Sequence, residues 1–340
     1  MTTDALFELL DLNKDGRVAR SELHTAAERM GWRWQEAPIF ALLDLLTIPE
    51  PITKKRFTAY LQQIADDPMG PYGNVLLNAP GFLAALPPQR DQPFPGEFTD
   101  VDTLSNRHGG HSRDTDFEGE LMPALEKGLG VEIVNGYHSL LGTLDTCRIS
   151  SNDATLLIID PQRSFTEGAW MQSIGKGAAT DVKPIVIAFR DCSRLLNFIY
   201  GRMEIMFTRC PFPPGSYDWD DRLAGIIDSK QPYFIKPGNS VFFPPLNGFK
   251  DWLEHCITKG KRTLIIGGCT LNSCVRISSI ETMDRFKNRN LRVVVDLSIC
   301  GARLRNFLPS SLYEGVSAVE SAISQMKAAG VQVVRRVEWQ

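Results

Sequence analysis

The apolar and polar positions divide the chain into three zones. Over residues 1–67 apolar side chains recur at helical spacing: Leu6, Phe7, Leu9 and Leu10 in DALFELLDL, with the same period in APIFALLDLL and RFTAYLQQI. Residues 68 to about 115 lose that period and carry Pro-Gly punctuation (DDPMGPYGN, LPPQRDQPFPGEF) and the polar run NRHGGHSRDTD, the composition of a linker. A short helix is predicted over about 118–128, and the whole of 68–150 is assigned as a linker and partly structured connection, with the side on which 130–152 packs left open. From about 153 the period changes again. TLLIID, MEIMFT, RTLIIGG, LRVVVDL and VQVVRRV are continuous apolar runs suited to buried parallel strands. KPIVIAFRDCSRLLNFI, FKDWLEHCITK, CVRISSIETMDRFKN and VSAVESAISQMKAAG are amphipathic helices between them. Strands alternating with helices of this length predict a doubly wound, mostly parallel α/β sheet over 151–340, behind a small all-α unit.

Composition narrows the class. A net charge of −3 gives no global pull toward nucleic acid or an anionic membrane. No apolar run reaches the roughly 18 residues of a membrane span, and MTTDALFELLDLN lacks the basic and apolar regions of a secretory signal, so a cytoplasmic protein is expected. The seven cysteines are odd in number and scattered without a CxxC pair, which argues against a disulfide framework or a zinc ribbon.

Residues 11–22, DLNKDGRVARSE, fit the twelve-residue EF-hand loop. Asp11, Asn13 and Asp15 supply oxygens on alternate residues and Gly16 makes the sharp turn. Arg17 lends its carbonyl, Val18 is the apolar position, and Glu22 closes the site with two oxygens. The expected ligand is calcium, with magnesium as the alternative; the bland reading is an Asp/Asn-rich turn capping a helix. A second hairpin at 37–66 places Ile52 at the apolar position, but Leu45, Thr47, Pro49 and Arg56 fall where ligands should be, so this partner is expected to be empty.

Three residues in the C-terminal zone carry candidate chemistry. Cys274 lies in GGCTLNSCVRISSIE, where a strand passes into a helix, and a helix N-terminus favours a thiolate. Asp160 ends the first strand in IIDPQRSF, at the edge where parallel sheets bind ligands. Lys236 stands in the mostly apolar YFIKPGNSVF. Taken singly, the cysteine reads as well as a buried structural residue, and the lysine reads better as a solvated loop residue.

Together, DPQRSF after the first strand, an isolated lysine followed by S-V-F, and G-x-x-x-x-x-C-V opening a helix resemble the isochorismatase-like cysteine hydrolases, which include nicotinamidases and N-carbamoylsarcosine amidohydrolase. The motifs occur in that family's order and span nearly all of 153–340. The resemblance implies a hydrolase of non-peptide C–N bonds with Cys274 as nucleophile, Asp160 as general base and Lys236 holding the carboxylate and stabilising the thiolate. It also implies an oxyanion hole from the backbone amides of Thr270 and Cys274, and a cis peptide at Cys269–Thr270. By analogy the substrate is a small amide, ureido or carbamoyl compound, and the protein a homo-oligomer. No nucleic-acid or membrane partner is implied.

The chain departs from nicotinamidases after the second strand, where the positions expected for their metal-binding Asp-x-His and second His hold Arg209, Cys210 and Pro211. A catalytic site without metal is therefore expected. Arg209 either faces the pocket to bind a substrate carboxylate or ends its strand in solvent. Phe165 and Trp170 either wall the pocket or belong to the core. A non-catalytic, calcium-responsive binding protein on a hydrolase fold is the alternative. A vinyl-ether hydrolase is disfavoured by the presence of Cys274, and a dithiol redox protein by the five-residue spacing of Cys269 and Cys274.

Overall fold

The computed structural model describes residues 3–29, 51–66, 117–210, 216–228, 230–236, 238–243 and 248–340. The N-terminal part contains α1 (Thr3–Leu10), β1 (Arg17–Val18), α2 (Arg20–Arg29), β2 (Ile52–Thr53) and α3 (Lys54–Asp66). The helical period puts Phe7 and Leu10 of α1 inward, where Phe7 meets Phe57 of α3 edge-on at 5.4 Å. β1 and β2 pair antiparallel with Val18 opposite Ile52, both fully buried. Of the four empty positions expected in the second hairpin, Arg56 lies in α3, and Leu45, Thr47 and Pro49 lie outside the described residues.

In the first loop Gly16 takes φ 80°, a conformation open to glycine. The acidic oxygens are turned onto the loop's own amides. Asp11 accepts from Asp15 N at 3.0 Å and Gly16 N at 2.9 Å, and Asn13 Oδ1 accepts from Asp15 N at 2.9 Å. Asp15 accepts from Arg17 N at 2.9 Å, and Glu22 accepts from Leu12 N, Asn13 N and Ala19 N at 2.9, 3.1 and 2.8 Å. Among the described residues no three His, Cys, Asp or Glu side chains form a group able to hold a metal ion.

The α/β unit begins earlier than expected. α4 (Phe117–Leu129) and α5 (Val131–Gly142) bury Phe117, Leu121, Leu125, Tyr137 and Leu141 in the same apolar cluster as the central sheet. Among the described residues, those from Phe117 on, assigned to the connection, thus pack with the sheet. The physical reason is in α4: Phe117, Leu121 and Leu125 repeat every four residues and make one apolar stripe, which needs a surface to cover it. Glu120 of α4 also pairs with Arg190 and Arg194 at 2.5 and 2.9 Å. β3 (Thr146–Ile149) then lies parallel to the last strand of the chain.

The elements that follow are β4 (Ala154–Ile159), α6 (Ala169–Ser173), α7 (Ala178–Asp181), α8 (Lys183–Ile199), β5 (Glu204–Arg209), α9 (Asp221–Ala224), β6 (Tyr233–Ile235), α10 (Phe249–Thr258) and β7 (Thr263–Cys269). After β7 come a wide π-type turn at Leu271–Val275, α11 (Arg276–Phe286), β8 (Arg292–Gly301), α12 (Ala318–Ala328), β9 (Gln332–Val334) and β10 (Arg336–Trp339). Six strands form one all-parallel sheet in the order β6-β5-β4-β7-β8-β9. Every residue of β4 and β7 is buried, as strands covered by helices on both faces must be. VQVVRRV, read as one strand, is two: β9 closes the main sheet and β10 pairs with β3, the chain breaking at Arg335, whose amide donates to Asp145 O at 3.0 Å.

The topology positions the site. From β4 the chain winds outward through β5 and β6; it then returns to the other side of β4 and winds outward again through β7, β8 and β9. The reversal lies between β4 and β7, and a doubly wound sheet opens its ligand crevice at the carboxyl ends of such a pair. Among the described residues no helix is long and apolar enough to cross a membrane.

Candidate active site

Asp160 is the first residue beyond β4, Lys236 the first beyond β6, and Cys274 sits in the turn between β7 and α11, so all three occupy one edge of the sheet. Asp160 and Lys236 are fully buried and Cys274 is 1% exposed. Lys236 Nζ lies 2.7 Å from Asp160 Oδ2 and 3.3 Å from Cys274 Sγ, and donates to Gly238 O at 2.7 Å. The structure therefore brings the three together, with the ammonium between carboxylate and sulfur.

Local structure explains how each is held. The backbone reverses at Asp160, which takes φ 48°, a left-handed conformation that Asp tolerates better than most residues. Its amide donates to Thr208 Oγ1 at 3.0 Å, and that hydroxyl donates back to Asp160 Oδ1 at 2.5 Å. Cys210 Sγ donates to Asp160 Oδ2 at 3.3 Å. Gln162 crosses from the same turn to the end of β5, donating to Cys210 O at 2.8 Å and accepting from Cys210 N at 2.7 Å. Lys236 N donates to Arg209 O at 2.8 Å, which extends the β5–β6 ladder to the lysine.

The Cys269–Thr270 peptide, at the end of β7, is cis. The Thr270 carbonyl then accepts from Ser273 N and Val275 N, both at 3.1 Å, closing the turn that carries Cys274. The amides of Thr270 and Cys274 belong to this turn.

Charge and burial set the protonation states. Burial pulls the Lys236 ammonium down, but the Asp160 carboxylate and the neighbouring Cys210 and Cys274 outweigh it and carry it well above the ordinary lysine value. Lys236 is therefore a cation at neutral pH. Burial raises the Cys274 thiol, with the Lys236 charge pulling it back; Cys210 and Cys269 are driven well above the ordinary thiol value by burial and by Asp160. Cys274 Sγ lies 3.4 Å from Asn239 Oδ1, an acceptor placed for the thiol hydrogen.

The Arg209 side chain lies on the other face of β5. Along β5, Met206 and Thr208 face the cluster that holds Cys274, whereas Ile205 and Phe207 face the opposite one. Arg209, one residue after Thr208, shares the second face. Its guanidinium stacks at 3.6 Å on Trp219 and lies 4.4 and 4.9 Å from the rings of Tyr233 and Tyr217, and the residue is 4% exposed. It does not end the strand in solvent, and the two-residue period of the strand puts it on the face opposite Thr208. Phe165 is buried in that same second cluster, its ring 5.0 Å from the half-buried Trp170.

Four residues around the triad went unread in the sequence: Thr208, Cys210, Gln162 and Asn239. The alternation of MEIMFTRC could have marked Thr208 and Cys210 as sharing Met206's face. Gln162 and Asn239 lie in irregular segments, where no period directs a side chain.

No family model matches the chain, and no curated protein matches it. Solved structures do. An isochorismatase family protein from Desulfovibrio vulgaris subsp. vulgaris str. Hildenborough is 18% identical over 54% of this chain and 93% of its own, with a TM-score of 0.39. The nicotinamidase PncA from Bacillus subtilis is 18% identical over 54% of this chain and 99% of its own, with a TM-score of 0.38. The YcaC gene product of Escherichia coli, described as an octameric hydrolase of unknown specificity, is 21% identical over 55% of this chain and 77% of its own, with a TM-score of 0.36.

Proposed function

We propose that the protein is a cysteine hydrolase that cleaves a C–N bond of a small amide, ureido or carbamoyl compound through a thioester. The observation that carries this reading is the fully buried Asp160–Lys236 pair with Cys274 Sγ 3.3 Å from the ammonium. Burying two charges costs several kcal/mol unless they serve each other, and here the cation also faces a thiol.

Cys274 Sγ attacks the carbonyl carbon. Its proton passes to the Asp160 carboxylate and from there to the departing nitrogen, which leaves as ammonia or an amine. Water then attacks the thioester, Asp160 taking its proton, so that the acid is released and the thiol restored. Lys236 balances the charge on sulfur while the proton is away. The amides of Thr270 and Cys274 are assigned to the oxyanion.

Ammonia release from a panel of small amides, nicotinamide included, tests the proposal on the wild type and on Cys274→Ala. Release by the wild type that is abolished by the substitution is expected. Equal release by both proteins would remove Cys274 from the chemistry.

The proposal extends to a homo-oligomer and to calcium at the 11–22 loop. Asp11, Asn13, Asp15, Glu22 and the Arg17 carbonyl are the hard oxygens such an ion takes. In this structure the same carboxylates also accept hydrogen bonds from the loop's amides. Calcium is assigned no part in the reaction.

A further inference from the structure

A resting thiol needs an acceptor for its hydrogen, and the thiolate it becomes needs donors. Lys236 supplies donors only. Ser273 Oγ donates to Cys274 Sγ over a long 3.8 Å and shares a hydrogen bond with Thr270 Oγ1, so it too faces the sulfur as a donor. Asn239 is different. It is fully buried, its Oδ1 lies 3.4 Å from Cys274 Sγ, and a carboxamide carries an acceptor at one end and two donors at the other.

The position of Asn239 is built. Ser278 of α11 donates its hydroxyl to Asn239 O at 3.3 Å and accepts from Val241 N at 3.0 Å. Ser240 bonds the carboxylate of Glu281, on the same helix, and accepts from Phe242 N at 3.0 Å. α11 continues directly from the turn that carries Cys274. One helix therefore fixes both the nucleophile and the loop that faces it.

We propose that Asn239 is a further catalytic residue: its side-chain amide accepts the Cys274 S–H at rest and, once the proton has left, turns to donate Nδ2–H to the thiolate. The turn is about a terminal sp³–sp² torsion, which is broad and roughly two-fold. The same donor meets the thiolate again when water breaks the thioester. The inference rests on the reading of Cys274 as nucleophile.

Alkylation of Cys274 by iodoacetamide, followed site by site with peptide mass spectrometry from about pH 6 to about pH 10, tests it, because only the thiolate reacts. Asn239→Leu removes acceptor and donors at similar volume. Asn239→Asp keeps the shape and the acceptor but sets a negative charge beside the sulfur. The midpoint of the rate profile should move up by about one pH unit in Asn239→Leu and further in Asn239→Asp. An unmoved midpoint in variants that melt like the wild type would overturn the role. If Asn239→Leu melts far below the wild type, Asn239→Ala, which is smaller and uncharged, carries the comparison instead. Wild-type Cys274 that labels no faster than Cys210 or Cys269 would overturn the nucleophile reading, and this role with it. Fast wild-type labelling with unmoved variants would overturn this role only.

Discussion

The buried ion pair makes a quantitative demand on stability. Lys236→Met removes the ammonium and keeps most of the side chain's volume, leaving the Asp160 carboxylate at 0% exposure without its cation. At the observed 2.7 Å the pair attracts by about 6 kcal/mol for an effective dielectric near 20. Much of that attraction offsets desolvation, and breaking a buried pair from one side costs about 3–5 kcal/mol net. Asp160→Asn alone strands the ammonium in the same way. The double variant removes both charges, so its loss should fall short of the sum of the singles by about 2–3 kcal/mol. Urea denaturation of all four proteins at neutral pH measures this directly. Because the folded state raises Lys236 above its ordinary 10.5, the stability it contributes is complete below that value. It is lost as pH climbs through the raised one, so alkaline destabilisation should be present in the wild type and diminished in the double variant. A single Lys236→Met loss under about 1 kcal/mol, or strictly additive singles, would refute the buried pair as the organising interaction of the site.

Arg209→Met should lower stability by about 1–2 kcal/mol through loss of the stacking on Trp219, Tyr217 and Tyr233, while leaving KM for the best substrate of the panel unchanged; a large rise in KM would return Arg209 to the pocket. Gly268 has φ 106°, and a Cβ there would stand 2.0 Å from Ile159 O, so Gly268→Ala should cost about 3 kcal/mol or more, read as a lowered urea midpoint. Calorimetric titration should show calcium binding that Glu22→Gln weakens by at least about tenfold; heats indistinguishable between the two proteins would leave the 11–22 loop a capping turn.

Much of the α/β unit was legible because burial on both faces leaves a local mark. TLLIID and RTLIIGG are continuous apolar runs, and they form the two central strands within a residue of their expected ends. KPIVIAFRDCSRLLNFI is α8 to the residue. β6 was read only as an extended segment, because three residues carry too little periodicity to show. The 117–149 stretch, sharing a zone with Pro-Gly-rich neighbours, looked like a connection although α4 and α5 complete the core.

By itself the sequence determined the alternation of strands and helices and the residue types able to do nucleophilic chemistry, Asp160, Lys236 and Cys274. It also determined the spacing of oxygens in the 11–22 loop. These follow from local periodicity and from the chemistry of single side chains. Only the tertiary structure decided what meets what. It set Lys236 between Asp160 and Cys274, across segments separated by 76 and 38 residues. It placed Thr208 and Cys210 on the Asp160 carboxylate and Asn239 on the sulfur. It turned Arg209 away into an aromatic enclosure. Such choices depend on which strands lie side by side and on the face each strand presents. A one-residue step reverses that face, and it becomes fixed only when the sheet packs.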